Sequence, residues 1–277
     1  MRGKLPESPG GRYARAWVTG GSSGIGKAIC RALADQKIEV VATARDGKRA
    51  DWGDGVSGES LDLSWPRERL REQVEAMVAA HGVPQILVNN AGYADFGFFE
   101  RCDPDGIEKQ LRVLLGAPME LVRELLPSML DGGAGAVVNV ASLTADLPMP
   151  GFGVYNAAKA GLAHFTQSLM LENNRSDFCF IDLRPGDFCT SFNDNTKATV
   201  ETMSDREAAA WERAEHHLRL APPPEKAAAD LLRILRKGKS GTYRTGSFFQ
   251  ARLAATGGRF LPGSWIRWLI RRYYRCP

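Results

Sequence analysis

Short apolar runs alternate with helical patterns along most of this 277-residue chain, and that alternation constrains the fold more than any other feature. The apolar runs are rich in Val and Ile and are bounded by Gly, Pro or Asn, which is typical of strands buried on both faces of a parallel sheet. They cover residues 14–21, 38–45, 85–92, 135–142 and 178–186. The pattern predicts an α/β fold built on a doubly wound parallel sheet.

Helices are predicted between the apolar runs, where apolar residues recur at helical spacing. We predict them over residues 24–36, 67–82 and 156–173, the last because it is rich in good helix formers. The two apolar stripes consist of Ile25, Ile29 and Leu33, with Ala32 on the flank, and of Leu70, Val74, Met77 and Val78.

We predict one large domain over residues 13–250, although the length alone also permits two domains. Residues 1–12 are polar and rich in Gly and Pro, so we expect a loose tail and no signal peptide. The segment from about 191 to 221 is polar and irregular, which predicts a helical lid insertion. A helix and a final strand (GTYRTGS) are predicted to follow, and residues 251–277 form a basic, aromatic C-terminal extension.

The composition argues against several classes of protein. The sequence contains no run of about 18 apolar residues, so no transmembrane helix is predicted. The five cysteines are scattered without a CxxC pair, and the four histidines are dispersed. We therefore predict neither a disulfide framework nor a metal site, and we expect a reducing cytoplasm.

A glycine-rich turn joins the first predicted strand to the first predicted helix. The sequence TGGSSGIG (Thr19–Gly26) places glycines at 20, 24 and 26, with Ser22, Ser23 and Ile25 between them. Such glycines permit a tight turn and close backbone approach, and the helix N-terminus attracts an anionic pyrophosphate. The turn therefore predicts a dinucleotide-binding (Rossmann) unit, with a purely structural turn as the alternative.

The end of the second strand carries an arginine where a carboxylate would bind the ribose 2′-hydroxyl of NAD(H). Arg45 stands beside this position and suits a 2′-phosphate, so NADP(H) is favoured over NAD(H). The alternatives are that Arg45 is a solvated loop charge, or that Asp46 reaches the ribose.

Tyr155 and Lys159 lie four residues apart in the stretch YNAAK. On a helix this spacing places them on one face, about 5–6 Å apart at their Cβ atoms. A nearby cation favours phenolate, so we expect Lys159 to lower the pKa of Tyr155. The alternative is an ordinary pair on a helix surface.

Further motifs follow in order. NNAG (Asn89–Gly92) closes the run over residues 85–92, Ser142 closes the run over 135–142, Tyr155 comes thirteen residues after Ser142, and RPGDFCT (Arg184–Thr190) closes the run over 178–186. Together with the glycine-rich turn, these motifs resemble the short-chain dehydrogenase/reductase family over roughly residues 14–250. The resemblance implies an NADP(H)-dependent oxidoreductase that interconverts a ketone and a secondary alcohol.

The resemblance also implies roles for individual residues. Tyr155 matches the catalytic acid/base, Lys159 the residue that tunes it and binds the nicotinamide ribose, and Ser142 the residue that polarises the substrate carbonyl. Asn89 matches a cofactor contact, with a purely strand-holding role as the alternative. The other matching cofactor positions are Gly20, Ser22, Ser23, Gly24, Ile25, Gly26, Asp62, Leu63, Ala91, Gly92, Pro185, Gly186 and Thr190.

One position departs from the family pattern. The family carries an asparagine on the helix after NNAG, where it holds a water in a proton relay, whereas this chain has Val113 at the best-matching position. The backbone carbonyl remains, but the side-chain contribution is absent.

The C-terminal extension is strongly basic and aromatic. Eleven Lys or Arg residues and no acidic residue follow Asp230. A helix over residues 263–277 would place Arg267, Arg271 and Arg275 on one stripe, with Trp, Leu, Ile and Tyr residues on most of the rest. It is expected to dock on its own body or on a sister subunit, or to lie on an anionic membrane. Nucleic-acid binding is not expected, because no matching motif accompanies the charge.

The sequence thus predicts a cytoplasmic NADP(H)-dependent reductase of a lipophilic carbonyl, acting as a homodimer or homotetramer, with peripheral membrane contact as an option. The alternatives are an NAD-dependent alcohol dehydrogenase on the same scaffold and a non-catalytic dinucleotide-binding sensor or scaffold protein.

Overall fold

The computed structural model describes residues 9–47, 51–190, 203–219, 221–247 and 262–274. Its centre is a sheet of seven strands in the order β3-β2-β1-β4-β5-β6-β7, and every pair is parallel. The strands are β1 Arg15–Thr19, β2 Glu39–Ala44, β3 Val56–Ser60, β4 Ile86–Asn89, β5 Gly135–Val140, β6 Phe178–Pro185 and β7 Gly241–Thr245. The predicted doubly wound parallel sheet is confirmed.

Helices flank the sheet on both faces. They are α1 Gly24–Asp35, α2 Arg67–His81, α3 Pro104–Leu111, α4 Ala117–Asp131, α5 Gly153–Glu172, α6 Asp205–Arg219, α7 Glu225–Lys237 and α8 Gly263–Tyr273. The predicted helices over 24–36, 67–82 and 156–173 correspond to α1, α2 and α5, and the last begins three residues earlier than predicted.

Two apolar layers hold the helices to the sheet because successive strand residues point to opposite faces. Val40 and Ala42 face α1 and α7, whereas Val41 between them faces α2 and α4. The apolar stripes of α1 and α2 both face the sheet as predicted, with Leu33 and Leu70 fully buried. Both faces of the central strands are therefore dry, which explains their continuous apolar runs.

None of the apolar runs predicts β3. Its residues, VSGES, are mostly polar and none is fully buried. The strand lies at the edge of the sheet and pairs only with β2. An edge strand needs no apolar run, so it left no signal.

The predicted loose tail over residues 1–12 is wrong for its last four residues. Residues 9–11 form a short 3₁₀ turn, and the Arg12 guanidinium donates a hydrogen bond to the Asp177 carbonyl at 3.0 Å. Tyr13 follows and is 1% exposed, so its ring anchors this segment to the core. Residues 1–8 lie outside the described residues.

The predicted lid and extension lie partly outside the described residues. Of the lid segment, residues 191–202 and 220 are not described, and residues 205–219 form α6. Of the extension, α8 and its two flanking residues are described. No helix among the described residues is both long and apolar enough to cross a bilayer.

Candidate active site

The glycine-rich turn is packed so closely that side chains are excluded from it. Gly20 has a φ of +65°, and a Cβ there would lie 2.7 Å from the Ala91 Cα. A Cβ on Gly26 would overlap the carbonyl oxygen of Gly20. The turn therefore fits directly against the NNAG segment, as two halves of one binding surface require.

The N-terminus of α1 has the features of an anion-binding site. Ser23 occupies the cap position, but its side chain makes no capping hydrogen bond, and the first turn contains no acidic residue. The first backbone N–H groups of a helix lack intrahelical acceptors and carry the positive end of the helix dipole. This turn therefore fits the pyrophosphate of a dinucleotide.

Hydrogen bonds join the ends of β1 and β4, where the direction of winding changes. The Thr19 Oγ1 accepts hydrogen bonds from the backbone N–H groups of Asn90 and Ala91, at 3.0 and 3.1 Å. The Asn90 amide donates to the carbonyls of Thr19 and Gly20, at 2.9 and 3.2 Å. Neither Thr19 nor Asn90 was among the predicted site residues, although both lie inside the quoted motifs.

Asn89 has a structural role in the described protein. Its amide donates to the Asn139 side-chain oxygen at 2.8 Å, and the Asn139 amide donates to the Thr166 Oγ1 at 2.9 Å. This buried chain of hydrogen bonds links β4, β5 and α5. The alternative of a strand-holding role thus describes its contacts within the protein.

The three predicted catalytic side chains lie together at the end of β5 and on the first turns of α5. The Ser142 Oγ accepts a hydrogen bond from the Thr144 N–H at 3.1 Å, and a second hydrogen bond joins the side chains of Ser142 and Tyr155. The Lys159 Nζ lies 5.8 Å from the centroid of the Tyr155 ring. Lys159 is 4% exposed, and its Nζ donates to the Val140 carbonyl at 2.7 Å.

The expected lowering of the Tyr155 pKa is wrong for this structure. Burial raises the pKa of Tyr155 to about 12, the hydrogen bond with Ser142 opposes this rise, and the Asp187 charge adds to it. Burial also lowers the pKa of Lys159 to about 8. Removal from water disfavours the charged form of both groups, and this effect exceeds the influence of the ammonium on the phenol.

The departure at Val113 coincides with an irregular turn. Residues 112–116 form a π-helical turn between α3 and α4, a feature that is frequent at functional sites. Val113 itself is partly buried and packs against the core. The neighbouring Leu114 lies under Gly92, where a Cβ would approach Leu114 to 2.8 Å and the Lys159 Nζ to 3.8 Å. The π turn thus abuts the site where the asparagine is missing.

The loop after β6 closes the site from the other side. The Gly186 N–H donates to the Thr245 carbonyl at 2.8 Å, which holds the loop to β7 directly after Pro185. A Cβ on Gly24 would lie 3.2 Å from the Thr190 Cβ, so this loop reaches the glycine-rich turn. The segments predicted to face the nicotinamide and the pyrophosphate are therefore neighbours.

The remaining predicted cofactor positions lie on the adenosine side. Arg45 is exposed at the end of β2, and its charge opposes the burial that raises the pKa of Tyr93 to about 12. Asp62 accepts hydrogen bonds from the Ser64 N–H and Oγ, at 2.9 and 2.8 Å. The Leu63 side chain is buried in the core, so only its backbone is available for a ligand.

Comparison with known proteins decides the family. A model of the short chain dehydrogenase family matches residues 14–201. The chain belongs to this family.

Its similarity to individual members extends over almost the whole chain. It is 26% identical over 264 residues to a 3-ketodihydrosphingosine reductase of Bacteroides thetaiotaomicron, covering 93% of this chain and 96% of the relative. A short-chain dehydrogenase from Streptomyces avermitilis has a TM-score of 0.77 at 24% identity, covering 95% and 96% of the two chains. One from Sphingobium yanoikuyae, solved in complex with NADPH, has a TM-score of 0.71 at 24% identity, covering 89% and 93%.

This short-chain dehydrogenase is accordingly an NAD(P)-dependent oxidoreductase acting on CH–OH groups. Among its described residues, no three His, Cys, Asp or Glu side chains are grouped so as to hold a metal ion.

A largely buried network of ion pairs joins the carboxyl ends of β6 and β7 to the turn after β5. The Arg184 guanidinium bonds Asp182 at 2.6 and 2.8 Å and Asp146 at 2.7 Å, and Arg244 bonds Asp146 at 2.9 and 3.0 Å. Asp146 ends the 3₁₀ turn that Ser142 begins. The network therefore ties the turn that carries Ser142 to the ends of β6 and β7.

Aromatic side chains surround one side of Tyr155. Phe152 lies 6.4 Å from it, and Phe96 lies 5.1 Å from Phe152 and 5.2 Å from Trp211 of α6, between ring centroids. We call Phe96, Phe152 and Trp211 the aromatic cluster. It brings the loop after β4, the segment before α5 and α6 together beside the phenol.

Glu207 fastens α6 to the loop after β4. Its buried carboxylate accepts hydrogen bonds from the Phe98 N–H at 2.9 Å, Arg101 at 2.6 Å, and the Ser204 N–H and Oγ at 2.9 and 2.7 Å. Burial raises the pKa of Glu207. The hydrogen bonds and the Arg101 charge outweigh this effect and lower the pKa to about 2. The interaction therefore holds Trp211 of α6 against Phe96 of the loop after β4.

Asp146→Asn tests the buried network. The substitution keeps the size of the side chain but removes the carboxylate that Arg184 and Arg244 share, so we expect the free energy of unfolding to fall by about 3 kcal/mol. Urea denaturation measures this loss. The matched control is Asp177→Asn, which breaks an exposed pair with Arg175 and should lower the free energy of unfolding far less. An equal loss of unfolding free energy in the two variants would contradict the conclusion that the buried ion pairs contribute more to stability than the exposed pair.

Glu207→Gln tests the attachment of α6. Because the folded-state pKa lies below the unfolded value of 4.5, the carboxylate contributes fully above that pH and loses its contribution as pH falls towards 2. We expect the variant to lower the free energy of unfolding by about 2 kcal/mol at neutral pH. The difference from wild type should shrink between about pH 4.5 and pH 3 in urea titrations.

The control for charge removal is Glu100→Gln, because Glu100 is exposed and lies on the loop after β4 that Glu207 contacts. A difference that stays constant with pH would show that Glu207 does not act through its charge.

Proposed function

We propose that the protein is an NADP(H)-dependent reductase that converts a lipophilic ketone to a secondary alcohol. The proposal is carried by one observation: Tyr155 is hydrogen-bonded to Ser142 and lies beside a buried Lys159, at the carboxyl edge of the sheet. This edge is where α/β proteins of this kind bind their ligands.

The three side chains have complementary roles in this proposal. The Ser142 hydroxyl orients the substrate oxygen, and Tyr155 donates its proton to that oxygen. When bound, the reduced dinucleotide supplies the hydride that reaches the carbonyl carbon. Lys159 provides a positive charge near the alkoxide or phenolate that develops during proton transfer.

The pKa values favour the reductive direction. A phenol with a pKa raised to about 12 keeps its proton throughout the neutral range, as a proton donor must. Lys159, with a pKa lowered to about 8, carries its charge at neutral pH and loses it in mildly alkaline solution. The reduction is therefore expected to slow above about pH 8, whereas oxidation of the alcohol, which needs phenolate, gains from alkaline pH.

The cofactor is proposed to be NADP(H) because Arg45 is exposed at the end of β2, where it suits a 2′-phosphate. The other proposed contacts are the glycine-rich turn (Gly20, Ser22, Ser23, Gly24, Ile25 and Gly26), Asp62, Leu63, Asn89, Ala91, Gly92, Tyr155, Lys159, Pro185, Gly186 and Thr190.

A lipophilic substrate is supported by the aromatic cluster beside Tyr155. Met149 and Met203 pack against the same cluster, so the surroundings of the phenol are almost wholly apolar on this side. Apolar walls with a few polar groups are typical of small-molecule sites. The relative from Bacteroides thetaiotaomicron is by name a reductase of a 3-keto compound, which agrees with a ketone substrate.

Assembly and location complete the proposal. The family is generally oligomeric, and we propose a homodimer or homotetramer. The thiols of Cys30, Cys102, Cys179 and Cys189 are unpaired, which supports a reducing cytoplasm.

Tyr155→Phe tests the catalytic assignment. Removal of the donor hydroxyl should lower kcat with NADPH and a panel of ketones by about 10²–10⁴-fold, while dinucleotide affinity changes little. Tyr243→Phe, which removes a hydroxyl bonded to the Lys239 carbonyl far from the cluster, should retain full activity. Undiminished turnover in Tyr155→Phe would refute the mechanism. A wild type that binds dinucleotide but reduces no ketone would favour the sensor or scaffold alternative.

Arg45→Ala tests the cofactor preference. Loss of a charge-assisted hydrogen bond to the 2′-phosphate should raise KM for NADPH by about 10–100-fold and leave KM for NADH nearly unchanged. Asp46→Asn is the companion variant. If the Asp46 carboxylate binds the ribose 2′-hydroxyl, Asp46→Asn should weaken the binding of NADH. An unaltered preference in Arg45→Ala would favour the NAD-dependent alternative.

A further inference from the structure

The helix α8 exposes a large apolar face. Trp265 is 61% exposed, Trp268 59% and Leu269 44%. We call these three residues the α8 face. Soluble proteins rarely expose adjacent tryptophans without a partner, so the α8 face marks an interaction surface.

The opposite side of α8 is already occupied by the protein itself. Ile266, Ile270 and Tyr274 recur at four-residue spacing and are partly buried, and Tyr274 packs against the aromatic cluster. The Arg213 Nε of α6 donates to the Tyr273 carbonyl at 3.3 Å. The expectation that the helix docks on its own body therefore accounts for this side of α8 and leaves the α8 face uncovered among the described residues.

All the charged side chains of α8 itself are positive. Arg267, Arg271 and Arg272 are exposed, and none forms an ion pair with any residue that the structure describes. The chain after Asp230 adds eight further basic residues and no acidic one, since it contains eleven in all. Tryptophans flanked by arginines are typical of helices that lie in the interface of an anionic bilayer.

A second copy of this chain fits the α8 face less well. A two-fold contact through α8 would bring both sets of exposed arginines together, and the segment offers no carboxylate to pair with them. An anionic lipid surface supplies the opposite charge to every arginine at once.

We propose that α8 binds the surface of an anionic bilayer through the α8 face, and that the bound helix presents the active site to ketones dissolved in that bilayer. Tyr274 contacts the aromatic cluster that surrounds Tyr155, so the helix that meets the lipid also borders the site. The statement about substrate rests on the proposed function, whereas the statement about binding does not.

The binding experiment uses the full chain with phosphatidylcholine vesicles that contain either no phosphatidylglycerol or about one-third of it. The wild type should co-sediment with the anionic vesicles and not with the neutral ones. Each arginine near an anionic surface contributes roughly fivefold to partitioning, so Arg267→Gln/Arg271→Gln should bind about 25-fold more weakly. Trp265→Ala/Trp268→Ala should lose more than about tenfold through reduced apolar contact.

The control for charge is Arg31→Gln/Arg67→Gln, which removes the same two charges from exposed positions on α1 and α2 and should bind as the wild type does. Equal binding of the wild type to both vesicles, or an equal loss in this control, would overturn the proposal. A second copy of the chain would be favoured by two results together. The wild type would bind neither kind of vesicle, and Trp265→Ala/Trp268→Ala would dissociate an oligomer that light scattering detects in the wild type.

The activity arm separates binding from the proposed function. With a long-chain ketone embedded in anionic vesicles, Arg267→Gln/Arg271→Gln should show a kcat/KM reduced about 25-fold, and with a water-soluble ketone an unchanged kcat/KM. An equal loss of kcat/KM on both ketones would contradict the proposal that the bound helix gives the active site access to ketones in the bilayer. Absence of turnover on every ketone, with vesicle binding intact, would refute the proposed function while leaving the bilayer contact established.

Discussion

The common direction of the seven strands is the constraint on which the site depends. Because all strands run parallel, the segments that leave their carboxyl ends meet at one edge of the sheet. The glycine-rich turn follows β1, NNAG closes β4, Ser142 follows β5 and Pro185 closes β6. Residues separated by more than a hundred positions in the chain therefore converge without any long-range side-chain interaction having to bring them together.

Side-chain interactions then refine what the sheet brings together. Thr19 and Asn90 fix the distance between the ends of β1 and β4, and Arg184 and Asp146 fix the turn that carries Ser142. These groups are buried or partly buried, where hydrogen bonds and ion pairs are costly to break. Precision in the site is thus supplied by polar groups that need not touch the substrate.

The fold and the positions of the motifs could be predicted because they depend on periodicity and on glycine, both visible in single residues. The burial of Ile29 and Leu33 and the close packing of Gly20 and Gly26 were readable in this way. The Arg184–Asp146 pair was not, because partners 38 residues apart leave no local pattern. The polar edge strand β3 left no apolar run for the same reason that it needs none.

The electrostatics of the site were the least predictable part. Spacing places Tyr155 and Lys159 on one face of α5, but spacing does not report how much water each group loses. Here burial moves the pKa values of both in the directions that favour their neutral forms. The four-residue spacing suggests a tyrosine whose pKa is lowered by a charged lysine. In the structure the pKa of Tyr155 is raised and that of Lys159 is lowered.

The π-helical turn over residues 112–116 accommodates one residue more than a regular helix joining α3 to α4 would hold. Deletion of one residue inside this turn would convert it to ordinary α-helix and leave the orientation of both flanking helices intact. The same deletion within α4 would rotate all later residues by about 100° and turn Leu125 and Met129 away from the sheet. The extra residue therefore lies where its loss would leave the packing of α4 on the sheet undisturbed, although the turn itself borders the candidate site.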